Sequence, residues 1–213
     1  MSKRFLIIMA ALVVVFFGVI IVSKNNEDAS TPGDSNAGSN HIKGKGSAGV
    51  EIVEFADFQC PTCAQFDPLV QAVVKKYNDQ ITFQFRHFPL VQIHQNAMIA
   101  HRSAEASGKQ NKFWQMHDLL FERQDIWKDS SNAKLVMEDY ASELGLNVDK
   151  FKSDFASTQV NDIITADIKA GQDAGVSGTP TFVIDGKKLD DLPRDIESFS
   201  KLIDQAIADK KSQ

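Results

Sequence analysis

The sequence predicts an α/β fold in which a strand–helix–strand unit is followed by a helical insertion and then by helix–strand–strand–helix. Three stretches carry that expectation. "VEIVEFADF", Val50 to Phe58, has the β-branched, apolar composition of a buried strand. "CAQFDPLVQAVVKKY", Cys63 to Tyr77, repeats its apolar residues at helical spacing. "TPTFVIDGKKL", Thr179 to Leu189, reads as a strand, an Asp-Gly turn and a return strand.

The elements follow in order. In the first helix the inward positions are Phe66, Leu69, Val70, Val73, Val74 and Tyr77. "ITFQFRHF", Ile81 to Phe88, alternates Ile81, Phe83 and Phe85 inward as the second strand. The insertion, about residues 92–157, opens with a helix over "IHQNAMIAHRSAEASG" that stops at Gly108. "KFWQMHDLLFERQDIW" has an apolar stripe of Phe113, Trp114, Leu119, Leu120 and Phe121, and two shorter helices cover "NAKLVMEDYASELGL" and "NVDKFKSDFAS". "TQVNDIITADIKAGQDAG" is the helix before the last strands, ending at Gly175. "DIESFSKLIDQAIADK" closes the domain with Phe199, Leu202, Ile203 and Ile207 inward. The domain spans residues 50–213.

Two segments precede it. Phe5 to Val22 is an unbroken apolar run of 18 residues, which as a helix reaches roughly 27 Å, close to the hydrocarbon thickness of a bilayer. A cleaved signal peptide is the competing reading, but its apolar region is usually about 7–15 residues and its cleavage site wants small residues. Ile21-Val22-Ser23 does not supply them, so residues 1–23 are expected to be an uncleaved signal anchor. Lys3 and Arg4 before the run place the N-terminus in the cytoplasm and the rest of the chain outside, at the cell membrane, with a secreted form if cleavage occurs. Residues 24–49, rich in Gly, Ser, Asn and Asp, read as a flexible linker in which His41 has no role. A short strand near Ile42 is left open. The net charge of −5, with no basic face, excludes nucleic acid as a partner class.

The chemistry rests on Cys60 and Cys63, the only cysteines in the chain. Zinc needs four ligands, and this pair supplies two, with no second pair and five scattered histidines to complete the set. No metal is therefore expected. Haem attachment requires His after the second Cys, where Ala64 stands. A structural staple across so short a loop removes little chain entropy. A redox pair fits the position better: it lies where a strand ends and a helix begins, in a compartment expected to be oxidising. Pro61 suits the first helical position, where its missing N–H costs nothing. A thiolate on Cys60 would face the orphan N–H groups of the first turn and the positive end of the helix dipole, lowering its pKa. Cys63, one turn in, would be the buried resolving sulfur.

At this spacing the chain resembles the thioredoxin fold, and within it the DsbA-like thiol–disulfide oxidoreductases. The matching features are "CPTC" at the strand-to-helix junction, Glu54 six residues before it, Pro68 eight residues after Cys60, and the loop "GVSGTPTFVIDG" with Thr179-Pro180. The insertion resembles that of membrane-anchored oxidases of the BdbD type. The resemblance covers about Val50 to Lys210 and implies several site roles. Glu54 would be a buried acid that moves the proton of Cys63. Pro180 would be a cis-proline opposite the cysteines, leaving the Thr179 backbone free to pair with substrate. Pro61 and Thr62 would tune the couple, with Thr62 replacing the His of the strongest oxidants and predicting a moderate one. The implied activity is the introduction of disulfides into exported proteins that carry free thiols, without any cofactor beyond the disulfide itself. A DsbB-like, quinone-linked membrane oxidoreductase would recycle the pair. A reductase or isomerase supplied with electrons by a membrane partner is the alternative. From other classes, a non-catalytic anchored binding module and a metallochaperone remain as readings.

Overall fold

The structure, a computed structural model, describes residues 38–212. Its centre is a five-stranded sheet in the order β1-β3-β2-β4-β5. Strand β1 is His41–Lys43, β2 Val50–Ala56, β3 Ile81–His87, β4 Thr181–Ile184 and β5 Lys187–Lys188. Helix α1, Pro61–Lys76, connects β2 to β3, which run parallel. The remaining pairs, β1 with β3, β2 with β4 and β4 with β5, are antiparallel. The β4–β5 hairpin turns on Asp185 and Gly186, both at positive φ, as a tight two-residue hairpin requires.

Alternation along β2 sends its residues to two cores. Ile52 and Ala56 join a large cluster with Val70 and Val73 of α1 and with Phe199 and Ile203 of α8, Ile196–Lys211. Phe55 joins a smaller cluster with Phe88, Val176 and Val183, covered by Ile168 and Ala170 of α7, Thr158–Asp173. Glu54 lies in the same alternation as Ile52 and Ala56, so a carboxyl enters the α1 side of the sheet. It is flanked in register by Phe85 and Phe182.

The helical insertion comprises α2, Ala97–Gly108, α3, Phe113–Glu122, α4, Gln124–Trp127, α5, Ala133–Glu143, and α6, Val148–Ala156. Its core is continuous with the sheet's: Met116, Leu120, Trp127 and Phe151 belong to the same cluster as Ile52. The indole N–H of fully buried Trp127 donates to the Leu120 carbonyl at 2.9 Å, which anchors α4 against α3.

Several expectations need correction. The linker was expected to reach Gly49, yet β1 lies inside it, paired to β3, and Ser39 is bonded through its N–H to Asp167 (3.0 Å) and through its hydroxyl to the Phe85 carbonyl (3.1 Å). The order there comes from partners at least 40 residues away, which local composition does not report. Leu202, placed inward by periodicity, is 37% exposed because α8 buries the narrower stripe of Phe199, Ile203 and Ile207. His94 lies in the turn before α2, not on it. The apolar run Phe5–Val22 falls outside the described residues; among those described, no helix is long and apolar enough to cross a membrane.

Candidate active site

Chain direction brings the site together. The parallel strands β2 and β3 both end at the edge where α1 begins, and the loop before β4 returns to the same edge. Cys60 is the N-cap of α1, in extended conformation, with Pro61 at the first helical position. No side chain caps this helix, so the first-turn N–H groups of Thr62 and Cys63 are turned to the Cys60 sulfur. Pro61 and Thr62 are exposed, and Pro68 lies inside the helix on its exposed side. The Thr179–Pro180 bond is cis, and the Thr179 carbonyl oxygen is 3.4 Å from the Cys60 sulfur, accepting from it when that sulfur carries its proton.

The two cysteines sit in different environments. Both are free thiols. Cys60 retains 6% exposure, while Cys63 has none. A hydrogen bond from Cys63 pulls the Cys60 thiol down from 9.0 to about 5 against the cost of burial, and the otherwise unpartnered Thr179 hydroxyl and the first-turn N–H groups add to the effect. Burial pushes the Cys63 thiol well up, and the negative charge on Cys60 and on Glu54 adds to that. One sulfur is thus a thiolate at neutral pH and the other a protonated thiol.

Glu54 is 3% exposed, on the strand beneath the pair. Burial, and then the charge of Asp67 on α1, raises its carboxyl from 4.5 to about 8. It therefore holds its proton at neutral pH, and when ionised its charge reaches the buried Cys63 thiol.

Three of the supporting side chains escaped the sequence reading. The Asp57 carboxylate accepts from the Gln59 N–H (2.8 Å), the Leu90 N–H (2.8 Å) and His94 Nδ1 (2.7 Å), and the Asp57 carbonyl accepts from the Cys60 N–H (3.0 Å). The Gln124 amide donates to the carbonyls of Phe58 (2.7 Å) and Cys60 (3.0 Å). The Gln59 side chain spans from the Lys128 carbonyl to the Asn96 N–H. Together they hold the loop before Cys60 from three directions. The available signal was Asp57 itself, a carboxylate in an otherwise apolar strand end three residues before the motif. The histidines are not scattered either: His87 and His101 are fully buried and in contact, and His41 and His94 adjoin them through Glu105 and Asp57.

The thioredoxin family model matches residues 36–205, most of the chain. The chain belongs to the thioredoxin family. Among solved structures this thioredoxin-family chain is similar to a thioredoxin-like oxidoreductase from Silicibacter pomeroyi, at 24% identity and a TM-score of 0.66 over 84% of this chain and 97% of that one. It is similar to oxidised BdbD from Bacillus subtilis, at 21% identity and a TM-score of 0.68 over 78% and 92%. A third likeness is to α-DsbA1 from Wolbachia pipientis, at 20% identity and 0.68 over 80% and 92%. At these identities the likeness is one of fold: a mixed α/β thioredoxin fold with a helical insertion, among DsbA-like neighbours. By sequence the chain is 36% identical over 168 residues to the Na(+)/H(+) antiporter NhaA 3 of Salinispora tropica and 34% identical over 168 residues to NhaA 1 of Salinispora arenicola. The match takes in 79% of this chain but spans about a quarter of those relatives.

Proposed function

We propose that this thioredoxin-family chain is an extracytoplasmic thiol–disulfide oxidoreductase that introduces disulfides into exported proteins. The observation that carries the reading is the split between the cysteines, Cys60 lowered to about 5 and Cys63 pushed well up. A low thiol pKa makes Cys60 a good leaving group and stabilises the reduced form, which favours an oxidant.

In the oxidised form a substrate thiolate attacks the Cys60 sulfur. The Cys60–Cys63 bond breaks, a mixed disulfide forms, and Cys63 leaves as a thiolate that takes the Glu54 proton. A second substrate thiolate then attacks the substrate sulfur of the mixed disulfide and expels Cys60 as thiolate. The substrate has lost two electrons and two thiol protons, and the pair has gained the electrons. The Thr179 backbone pairs with the extended substrate segment, next to the sulfur under attack. Exposed Val91, Ile93 and Ile126 provide apolar surface for unfolded clients, since their segments are hydrogen-bonded to the Asp57–Cys60 loop. Thr62 brings no positive charge to the motif, which argues for moderate oxidising power.

A DsbB-like, quinone-linked membrane oxidoreductase would return the pair to the disulfide. The Phe5–Val22 run would hold the chain at the cell membrane in the BdbD manner, with residues after 23 outside. Relatives named as Na(+)/H(+) antiporters, which by definition act at a membrane, are in keeping with that address.

The decisive experiment mixes the oxidised chain with reduced, unfolded ribonuclease and follows thiol loss. The parent oxidises it; a Cys60→Ala variant that still did so would remove the nucleophile assignment. Equilibration with glutathione gives the direction: a potential between about −120 and −200 mV supports an oxidase, and one near −270 mV a reductase or isomerase.

A further inference from the structure

Outside the cysteine site, a second set of side chains converges in the interior. His41 comes from β1, His87 from the end of β3 and Glu105 from α2. Both His41 Nε2 and His87 Nε2 lie 2.6 Å from the same Glu105 oxygen, Oε1, and the three donor atoms are all within 4.8 Å of one another. Glu105 and His87 are buried, and the His41 side chain keeps 17% exposure, which leaves a way in. The rings are held in place: His41 stacks on Phe113 with centroids 3.3 Å apart, and His87 Nδ1 lies 2.6 Å from His101 Nδ1.

Hydrogen bonds alone leave this arrangement one partner short. If His87 Nε2–H donates to Glu105, then His87 Nδ1 is an acceptor and takes the Nδ1–H of His101. Nε2 of a neutral His101 is then a bare lone pair, 3.5 Å from Asp57 Oδ1, and this buried nitrogen has no hydrogen-bond partner. Two lone pairs facing each other in the interior is an unfavourable arrangement.

We propose that His41, His87 and Glu105 bind a divalent transition-metal ion of the zinc class. An ion on His87 Nε2 reverses the ring tautomer. His87 Nδ1–H then donates to His101 Nδ1, and His101 Nε2–H is directed at Asp57, so both ring nitrogens of His87 and of His101 have a partner. The two buried carboxylates, Glu105 and Asp57, are balanced by the two positive charges. Two imidazoles and one carboxylate form a donor set for zinc, cobalt or nickel; calcium and magnesium take oxygen ligands, and copper(I) takes sulfur. A carboxylate–His–His series behind the ligand is the outer-sphere support such sites use to fix ring orientation. It ends at Asp57, whose other contacts hold the Cys60 loop.

The test uses the full chain with Cys60→Ser and Cys63→Ser, so that thiols bind nothing. Zinc is titrated in competition with a chromophoric chelator, and cobalt is added to a parallel sample for its visible absorption. One equivalent of zinc is expected, with cobalt bands of a low-coordinate N/O site. Glu105→Gln and the half-buried His41→Ala should each weaken zinc binding by at least about tenfold. Thermal melting of His41→Ala establishes that the fold is kept. Absence of zinc binding, or zinc binding unchanged in a folded His41→Ala chain, overturns the proposal, as does a site that takes calcium in preference to zinc.

Discussion

At the scale of single residues, the site works by giving two chemically identical thiols opposite environments. Cys60 stands at a helix start with N–H groups and a second thiol turned to it, whereas Cys63 has no access to water. Alkylation of the reduced chain by iodoacetamide should therefore modify Cys60 first, with its rate falling to half near pH 5. Mass spectrometry at each pH checks this, and a midpoint near 9 would contradict it. Glu54 carries the complementary property. Its folded pKa, about 8, is raised above the ordinary 4.5, so its contribution to stability is fully present below about pH 4.5 and is lost as pH rises through 8. Urea unfolding of the oxidised form, in which Cys60 does not titrate, should show the parent losing stability between pH 5 and 8.5. Glu54→Gln should lack that loss and be the more stable chain at pH 8.5. Equal slopes for the two would remove the buried acid from the account.

At the scale of elements, the sheet is covered on its two faces by unequal means. The α1 face has a large cluster, but the cluster under the C-terminal half of α7 is small, built on Phe55, Phe88, Val176 and Val183, so close approach of backbone matters there. Gly171 of α7 provides it: a Cβ at that position would lie 2.7 Å from Phe88 Cδ2 and 3.0 Å from Phe55 Cδ1. Gly171→Ala gains about 1 kcal/mol of helix propensity, which the overpacking cost of about 1–3 kcal/mol exceeds. A net loss of stability is expected in a thermal melt, and a gain would mean that Phe88 repacks freely. The same elements show what was legible in the sequence. The helices of the insertion and the β4–β5 hairpin were readable because their periodicity and turn residues are local. Strand β1 was not, since three residues, His41 to Lys43, are too few to show a period and their partners lie in β3. Leu202 was misplaced for a related reason: periodicity gives a helix face, but the neighbouring elements decide how much of that face is covered.

At the scale of the whole molecule, redox state and stability are linked. The folded pKa of Cys60, about 5, lies below its ordinary value of 9.0, so the stability it gives the reduced chain is present above about pH 9 and is lost as pH falls through 5. The reduced form should melt at a higher temperature than the oxidised form at pH 7, and the gap should shrink as pH falls towards 5. A gap that stays constant over that range would show that the thiolate does not stabilise the reduced chain. By itself the sequence determined the order of elements and the place of "CPTC" at a strand-to-helix junction, because helix starts, strand alternation and turns are encoded by neighbours along the chain; Glu54 and Thr179-Pro180 entered as its companions only through the resemblance to DsbA-like proteins. Only the tertiary structure decided that Asp57, Gln59 and Gln124 hold the Cys60 loop, and that His41, His87, His101 and Glu105 meet in the interior. Those contacts join residues separated by 2 to 69 positions. Except for the shortest of them, no local pattern specifies such a meeting; it follows from which sheet faces and helix stripes are buried together.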